Sequence, residues 1–401
     1  MKKGWERKTL GEAFVTATGN TPPKNNTKFY GDFMPLVKPP ELCDGQLDSA
    51  EDGLSKAGAE VARTLPPNSI LVSCIGNLGK IALNVVPVAF NQQINAILPE
   101  VSKAVPEFMF YQVLSCGFKD QLEELASGTT VPIVNKSKFN SIHVVLPPLP
   151  DQHRIVSILD EAFAGLATTK ATAKATAEKN LHNARALFES HLQSVFSQRG
   201  KGWVEKRLAD VSDFKNGLNF TRQSNGQILR MVGVGDFQDH SVVPIETLQS
   251  VTIDGKLSDD YLIRRDDILT VRSNGSKDLV GRCMLVPDVD GMTSFSGFII
   301  RIRFDTRAVN PRFLLHFMKS SATRDRLTRD GGGANISNIN QAKLSELPVS
   351  LPSFSQQEEI ANRLDALREE TTRLAAIYQQ KLAALEALKK SLLLQAFSGA
   401  L

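Results

Sequence analysis

The chain has 401 residues and a formal net charge of +4. This length suits two or three domains, each able to bury a core of its own. A helix needs about eighteen apolar residues to cross a bilayer, and the apolar runs of this chain are much shorter. The opening MKKGWERK lacks the apolar core of a signal peptide. These features argue against a membrane or secreted protein and predict a cytoplasmic one.

The cysteines give no sign of a metal site or a disulfide framework. Cys43, Cys74, Cys116 and Cys283 are far apart, form no CxxC pair and have no histidine at metal-ligand spacing. We therefore expect reduced thiols and no bound metal.

The positive charge is unevenly distributed. Residues 200–352 carry 21 basic and 18 acidic side chains and so hold three of the four excess charges. Nucleic-acid-binding proteins often show a basic patch rather than a large global excess. The charge pattern permits DNA binding without requiring it.

In chain order, the sequence predicts a globular domain at 1–150, a long helix at 151–199, a second domain at 200–352 and a second long helix at 353–401. Short apolar runs such as 70–75 and 298–302, separated by Gly, Pro and Asn, indicate strands and loops with a few helices. The predicted fold class is therefore α/β (α+β), with two globular domains alternating with two long helices.

Both predicted helices carry an apolar seam with alternating steps of four and three residues, as in a coiled coil. An extra step of four near Ala177 resembles a stutter, and the Ala/Thr run at 167–177 leaves a low-complexity linker as an alternative. Each helix would be roughly 65 to 70 Å long. We expect antiparallel pairing through Ile155, Leu159, Leu166, Leu181, Phe188, Ile360, Leu364, Leu367, Leu374, Leu385, Leu388 and Leu392.

The whole arrangement is duplicated. LPPLPDQHRIVSILDEAF at 146–163 has a counterpart 205 residues later, LPSFSQQEEIANRLDALR. A repeat this long indicates duplication of a domain together with its connecting helix. Further matches are residues 3–5 with 201–203 and 70–71 with 268–269 at an offset of 198, Phe90 and Ile94 with Phe295 and Ile299 at 205, and Ile133 and Asn135 with Ile336 and Asn338 at 203.

Signatures of catalysis are absent from the sequence. It contains no [DN]PP[FYW] motif of adenine methyltransferases, no phosphate-binding GxxxxGK[ST] loop, no HExxH pair and no nucleophile elbow. Asp288 and Asp290 fit a turn better than a nuclease carboxylate pair, because no ExK motif follows. We predict no catalytic residues and a binding protein that recruits catalysis.

The duplicated LPPLxxQxxI helix start, the GW pairs at 4 and 202, and the domain-helix-domain-helix order resemble the specificity subunit of type I restriction-modification systems across essentially the whole chain. Asp151 and Gln356 stand where that family often has Glu, and Ser353 replaces the second proline of the distal copy. The resemblance implies a non-catalytic DNA reader in which each domain recognises one half of a bipartite, asymmetric site.

The resemblance also implies partners. The two long helices would set the spacer between half-sites and bind two methyltransferase subunits, which bring S-adenosylmethionine and methylate adenine N6. Restriction subunits would add translocation and cleavage driven by ATP and Mg²⁺. No cofactor is expected on this chain itself.

Candidate DNA-contacting residues lie in polar, loop-like stretches. Arg and Lys read guanine, Asn and Gln read adenine, and Lys, Ser and Thr contact phosphates. Of these candidates, Arg272, Asn274 and Lys277 are the first choice for base reading, and each stretch has a solvated surface turn as its alternative. The full set is Lys24, Asn25, Lys28, Gln92, Gln93, Thr129, Thr130, Asn135, Lys136, Arg222, Gln223, Arg272, Asn274, Ser276, Lys277, Asn335, Ser337 and Asn338.

Three other functions stay open at this point. The chain could be the specificity half of another restriction-modification class, an antiparallel coiled-coil scaffold with two protein-binding heads, or a self-sufficient nuclease or methyltransferase. The missing catalytic motifs disfavour the last of these.

Overall fold

A computed structural model describes residues 3–128, 130–197, 200, 202–219, 224–238, 240–276, 278–328 and 338–400. The chain forms two compact units, Met1–Ala175 with Tyr378–Leu401, and Thr176–Ile377. Each unit thus combines one globular domain with part of each long helix, whereas the predicted division into four segments follows the chain order and stays a prediction. Among the described residues, no helix is long and apolar enough to cross a membrane.

The described residues of the first unit form eleven short strands, and the central sheet has the order β2-β10-β7-β8-β4. β10 pairs antiparallel with both β2 and β7. The strands are β1 (Glu6–Thr9), β2 (Val15–Thr18), β3 (Tyr30–Val37), β4 (Gly45–Leu47), β5 (Gly53–Leu54), β6 (Thr64–Leu65), β7 (Ile70–Ser73), β8 (Ile81–Asn84), β9 (Val88–Phe90), β10 (Ile94–Leu98) and β11 (His143–Leu146); the helices are α1 (Leu10–Ala13), α2 (Lys56–Val61), α3 (Pro106–Leu114), α4 (Cys116–Glu124) and α5 (Lys136–Asn140), and the long helix α6 (Leu149–Ser197) begins in this unit.

The second unit repeats this plan, with a four-stranded sheet in the order β13-β19-β16-β17. Its strands are β12 (Val204–Arg207), β13 (Ser212–Asn216), β14 (Ile228–Val232), β15 (Ser250–Thr252), β16 (Ile268–Val271), β17 (Cys283–Leu285), β18 (Thr293–Phe295), β19 (Ile299–Phe304) and β20 (Pro348–Leu351); its helices are α7 (Pro311–Lys319), α8 (Ser321–Thr328) and α9 (Gln341–Ser345), and the long helix α10 (Phe354–Ser398) begins in this unit. In both units the first strand pairs with the last one before the long helix, β1 with β11 and β12 with β20.

The cores follow from the sequence pattern. β7 and β16 are apolar runs that are buried along their whole length, as expected for strands covered on both faces. α3 and α7 pack beside them, and each begins with a proline in its first turn, where the missing N–H has no intrahelical partner to lose. The predicted α/β fold class is confirmed.

The two long helices contact each other within each unit and run antiparallel there. In the first unit, Lys170 forms an ion pair with Glu386, and Lys389 lies over the ring of Phe163. In the second, Phe196 packs into a core that also contacts Ile360, while Phe188 borders a cavity together with Thr371. In each unit, as residue numbers rise along α6, the numbers of the neighbouring α10 residues therefore fall.

The seam is less regular than a coiled coil with closed packing. Ile155, Leu159 and Leu364 are fully buried, but Leu388 is 48% exposed. Leu388 borders a groove of about 640 Å³ whose opposite wall is formed by Thr168, Thr169, Thr172 and Ala173. These short side chains cannot fill the space between the helices. The other predicted seam residues, Leu166, Leu181, Phe188, Ile360, Leu367, Leu374, Leu385 and Leu392, are half-buried.

Candidate nucleic-acid interface

Three loops meet at one end of the central sheet in the first domain. The Cys74 N–H donates to the Gln93 carbonyl at 2.8 Å, and the Val134 N–H donates to the Cys74 carbonyl at 2.8 Å. The turn after β9, the turn after β7 and the segment before α5 are therefore held side by side. We call this group, together with the loop that follows β2, the end-loop cluster.

The loop after β2 joins the cluster through a close backbone approach. The Gly19 N–H donates to the Ile94 carbonyl at 3.1 Å, and a Cβ at Gly19 would overlap with the carbonyl oxygens of Phe90 and Asn91. Only glycine fits this approach. Thr21 then donates from Oγ1 to Gln92 Oε1 at 3.0 Å, which ties the loop to the turn after β9.

The second domain has the same cluster in the same hydrogen-bonding register. The Arg272 N–H donates to the Phe298 carbonyl at 2.9 Å, and the Ile339 N–H donates to the Arg272 carbonyl at 2.8 Å. At Gly217, as at Gly19, an added Cβ would overlap with two carbonyl oxygens of the facing turn. The equivalences run 74 to 272 at an offset of 198, and 93 to 298 and 134 to 339 at 205.

This register corrects one match made from the sequence. Ile133 bridges Ile75, and its structural counterpart bridging Ser273 is Asn338, at an offset of 205 instead of 203. The caps agree, because Asn135 caps α5 and Asn340 caps α9. Pairing Ile133 and Asn135 with Ile336 and Asn338 was therefore wrong by two residues, since asparagine recurs two positions apart, at 338 and 340.

Most predicted DNA-contacting residues of the first domain are on the surface of or next to this cluster. Gln93 is half-buried and accepts from the Asn91 amide at 3.1 Å. Asn135 has a structural task that the sequence-based choice overlooked, because its side-chain oxygen accepts the Lys138 N–H at 2.9 Å and caps α5. The exposed members are Lys24, Asn25, Lys28, Gln92, Thr130, Asn135 and Lys136.

In the second domain, Arg272 has the most distinctive surroundings. It is half-buried, and its Nε is buried without a hydrogen-bond partner among the described residues. Asn274 accepts the Ser276 N–H at 2.8 Å and so shapes the turn, while Ser276 and Asn338 are exposed. Thr129, Arg222, Gln223, Lys277, Asn335 and Ser337 lie outside the described residues.

Two residues at the cluster were missed. Arg63 is exposed and donates from its guanidinium to the Thr18 carbonyl. Its sequence context, ARTLPP, gave no reason to select it. Phe298 is 58% exposed. The offset of 205 between FNQQI and FSGFI was a sufficient signal to find Phe298, since the first of these two turns had been selected.

The chemistry of the cluster favours binding over nucleophilic attack. Burial raises the pKa of the Cys74 thiol to about 12, so this cysteine stays protonated at neutral pH. Within the described ranges, no group of three or more His, Cys, Asp or Glu side chains is arranged to hold a metal ion. Among the described residues, the cluster offers amides, hydroxyls, cationic groups and, in the second domain, the exposed ring of Phe298.

Two copies of one family domain account for most of the chain. The profile described as "Type I restriction modification DNA specificity domain" matches residues 2–179 and again residues 200–387. The chain belongs to this family. It carries two DNA specificity domains, and its role is DNA specificity in a type I restriction-modification system.

Individual relatives agree with this membership. The chain is 23% identical to the type I restriction enzyme StySPI specificity subunit of Salmonella potsdam, with 100% of this chain and 90% of the relative covered. Its fold is similar to that of a chain solved in work on complex assembly and conformational transition of the type I R-M system (TM-score 0.73, 19% identity, 99% and 98% covered). It is also similar to the HsdS subunit from Thermoanaerobacter tengcongensis (TM-score 0.62, 19% identity, 100% and 98% covered).

A buried glutamine attaches each specificity domain to its long helix. Gln152 accepts the Val105 N–H at 2.8 Å and donates to the carbonyls of Lys103 and Pro147 at 3.1 and 2.8 Å. Gln357 repeats all three bonds, with Asn310, Ala308 and Pro352 as the partners. Gln152 and Gln357 are the glutamines of the duplicated LPPLxxQxxI start, and both are at most 1% exposed.

A second repeated contact lies two turns further along each helix. Tyr111 on α3 donates its hydroxyl to Asp160 on α6, and His316 on α7 lies 2.8 Å from Asp365 on α10. Both pairs are related by the offset of 205. Each specificity domain thus meets its helix through the same two positions.

Proposed function

We propose that the chain is a specificity subunit in which each end-loop cluster reads one half of a bipartite, asymmetric DNA site. The observation that supports this most directly is the duplicated cluster: the backbone hydrogen bonds repeat, while the side chains differ. Cys74 corresponds to Arg272, Gln93 to Phe298 and Ile133 to Asn338. The same backbone with different side chains suits two domains that recognise different base sequences by direct contact.

The proposal extends to the partners. The chain offers two copies of the domain-helix junction, around Gln152 and around Gln357, and two identical partner subunits require the same surface twice. We assign these partners as two methyltransferase subunits that use S-adenosylmethionine to methylate adenine N6. Restriction subunits that use ATP and Mg²⁺ would join through them, and the long helices would fix the spacer.

In this assignment the chain is itself non-catalytic and binds no cofactor, and the complex acts on DNA in the cytoplasm. Two observations support the non-catalytic role: the sequence lacks the methyltransferase and nucleotide-binding motifs, and the Cys74 thiol within the end-loop cluster has a pKa of about 12. The duplicated cluster with divergent side chains favours two binding domains over a self-sufficient enzyme, and the sequencing experiment separates DNA readers from a scaffold with two protein-binding heads.

The test is single-molecule sequencing of methylated adenines in cells that express this chain with the methyltransferase subunit encoded beside it. We expect a split motif with a methylated adenine in each half, which disappears when this chain is omitted. A motif that persists without this chain would contradict the proposal. A complex that assembles but binds all DNA sequences equally would favour the scaffold instead.

A further inference from the structure

Phe298 is exposed to solvent at the end of the turn between β18 and β19. It is 58% exposed, while its neighbours Phe295 and Ile299 are fully buried. Single exposed apolar side chains are common on protein surfaces and need no explanation by themselves. The position of Phe298 within the end-loop cluster is what gives its exposure meaning.

The backbone fixes Phe298 beside Arg272. Its carbonyl accepts the Arg272 N–H at 2.9 Å, as the Gln93 carbonyl accepts the Cys74 N–H in the first domain. Gly297, the preceding residue, packs against Asn219 so closely that an added Cβ would overlap with the Asn219 side chain. The ring is therefore attached to a turn that is held from both sides by other loops of the cluster.

Two polar atoms next to this turn lack a partner. Arg272 Nε and Ser296 Oγ are both buried, and neither has a hydrogen-bond partner among the described residues. Buried polar groups are nearly always hydrogen-bonded, and charged ones especially so. The half-buried Arg272 side chain keeps a cationic group beside this turn, and the edge of a base pair offers acceptors for such a group next to an apolar methyl group.

We propose that Phe298 is a specificity-determining residue that packs against the C5-methyl group of a thymine in the major groove, next to the base or phosphate that Arg272 binds. Thymine is the base whose major-groove edge carries an apolar group, so it is the one that an apolar side chain can select. The first domain has Gln93 at the equivalent position, and glutamine is suited to adenine. The inference rests on the proposed DNA-reading function.

The test uses the full-length chain in complex with its methyltransferase subunits and a duplex carrying the methylated motif. Each thymine of both half-sites is replaced in turn by deoxyuridine, which removes only the methyl group, and the dissociation constant is measured. For the wild type, we expect one position at which deoxyuridine weakens binding about fourfold, the effect of one buried methyl group. Phe298→Ala should bind the two duplexes equally at that position, and Phe298→Leu should keep part of the difference.

Val242→Ala is the matched control. Val242 is 47% exposed and bridges Leu285, which pairs with Ile268 at the end of β16 away from Arg272. This variant should keep the thymine dependence of the wild type. Specific binding by the wild type with no deoxyuridine-sensitive position, or with one that Phe298→Ala leaves unchanged, would overturn this inference alone. Absence of any sequence-specific binding by the wild type would overturn it together with the proposed function.

Discussion

His316 Nε2 lies 2.8 Å from Asp365 Oδ1, at the position where the first domain has Tyr111 against Asp160. Both duplicated aspartates have therefore kept a hydrogen-bonding ring as partner, although the ring differs. Asp365 also accepts from Arg312 at 2.8 Å, and His316 is only 2% exposed. The junction in the second domain thus pairs its aspartate with an arginine as well as with a ring.

The first prediction concerns the partner of Asp365. His316→Leu leaves the Asp365 carboxylate without its ring partner, and we expect it to lower the free energy of unfolding by about 1 to 3 kcal/mol. His316→Tyr, which copies the first domain, should retain most of the stability. Urea unfolding at neutral pH measures both, and equal losses for Leu and Tyr would show that packing rather than hydrogen bonding matters there.

A second prediction is a dependence on pH. Burial acts to raise the pKa of Asp365, but hydrogen bonds and charge contacts with His316 and Arg312 outweigh burial and lower it below the ordinary 3.8. A carboxylate with a lowered folded-state pKa stabilises the fold above its ordinary pKa, and this stability is lost as the pH falls through the folded-state value. The wild type should lose stability below about pH 4 more steeply than Asp365→Asn.

Urea unfolding at a series of acidic pH values measures this difference. Asp290→Asn, at an exposed position, is the matched control and should follow the wild type. Parallel curves for the wild type and Asp365→Asn would contradict the assignment.

The third prediction concerns the buried glutamines. Gln152→Leu or Gln357→Leu removes three hydrogen bonds and leaves a buried N–H and two carbonyls to be satisfied otherwise. We expect each change to cost about 2 to 4 kcal/mol of unfolding free energy. Gln379→Leu, at an exposed position of α10, should change stability little and serves as the control. A loss no larger than that of the control would mean that other groups satisfy these backbone atoms.

The fourth prediction concerns base reading by Arg272. Arg272→Ala should relax one base position in one half-site, at a cost of about 1 to 3 kcal/mol on the preferred sequence. Binding measured on duplexes randomised at each position reports this. Arg307→Ala removes an arginine whose side chain is 89% exposed and should leave the motif unchanged. Equal weakening by Arg272→Ala on every sequence would reassign Arg272 to a phosphate contact.

The fifth prediction concerns the spacer. Inserting one heptad into α6 after Ala171 and one into α10 after Ala383 lengthens both helices by about 10 Å, or about three base pairs of DNA. Because the two sites lie near the Lys170–Glu386 ion pair, the helices can stay in register. Methylated-adenine sequencing should find a longer spacer between unchanged half-sites. The same heptad placed in the exposed turn at Asp290 is the control and should leave the spacer as it was. An unchanged spacer in the helix variant would show that helix length does not set the spacer.

The architecture could be predicted from the sequence because duplication and apolar periodicity are visible in the residues themselves. Ile155, Leu159 and Leu364, which were chosen from that periodicity, are fully buried, Ile155 and Leu159 in the core of the first domain. Leu388 shows the limit of periodicity: its partners across the groove are threonines and alanine, and their small volume leaves it half-exposed. A heptad position predicts which way a side chain points, but it does not predict how much space the residues on the facing helix fill.

The candidate interface was harder to predict because residue type does not reveal what a polar atom already contacts. Asparagine is a residue type that reads DNA bases, but the side chain of Asn135 caps α5. Gln152 is a polar residue at the start of a helix. Its side chain can be buried because it donates a hydrogen bond to a backbone carbonyl 49 residues earlier in the chain. Phe298 fits the pattern of a buried strand, but the match of FSGFI with FNQQI indicates a turn before β19, where the side chain is exposed.

The glycines at 19 and 217 have a consequence for how such a chain could acquire a new target. Each fixes the point where a variable loop leaves the sheet, because the facing carbonyls leave no room for a side chain there. The residues beyond that point can change in length and composition while the sheet, its hydrogen bonds and its junction with the long helix stay as they are. If the end-loop clusters read DNA as proposed, exchanging short surface segments beyond these glycines would change the recognised sequence while the backbone contacts at the glycines remain.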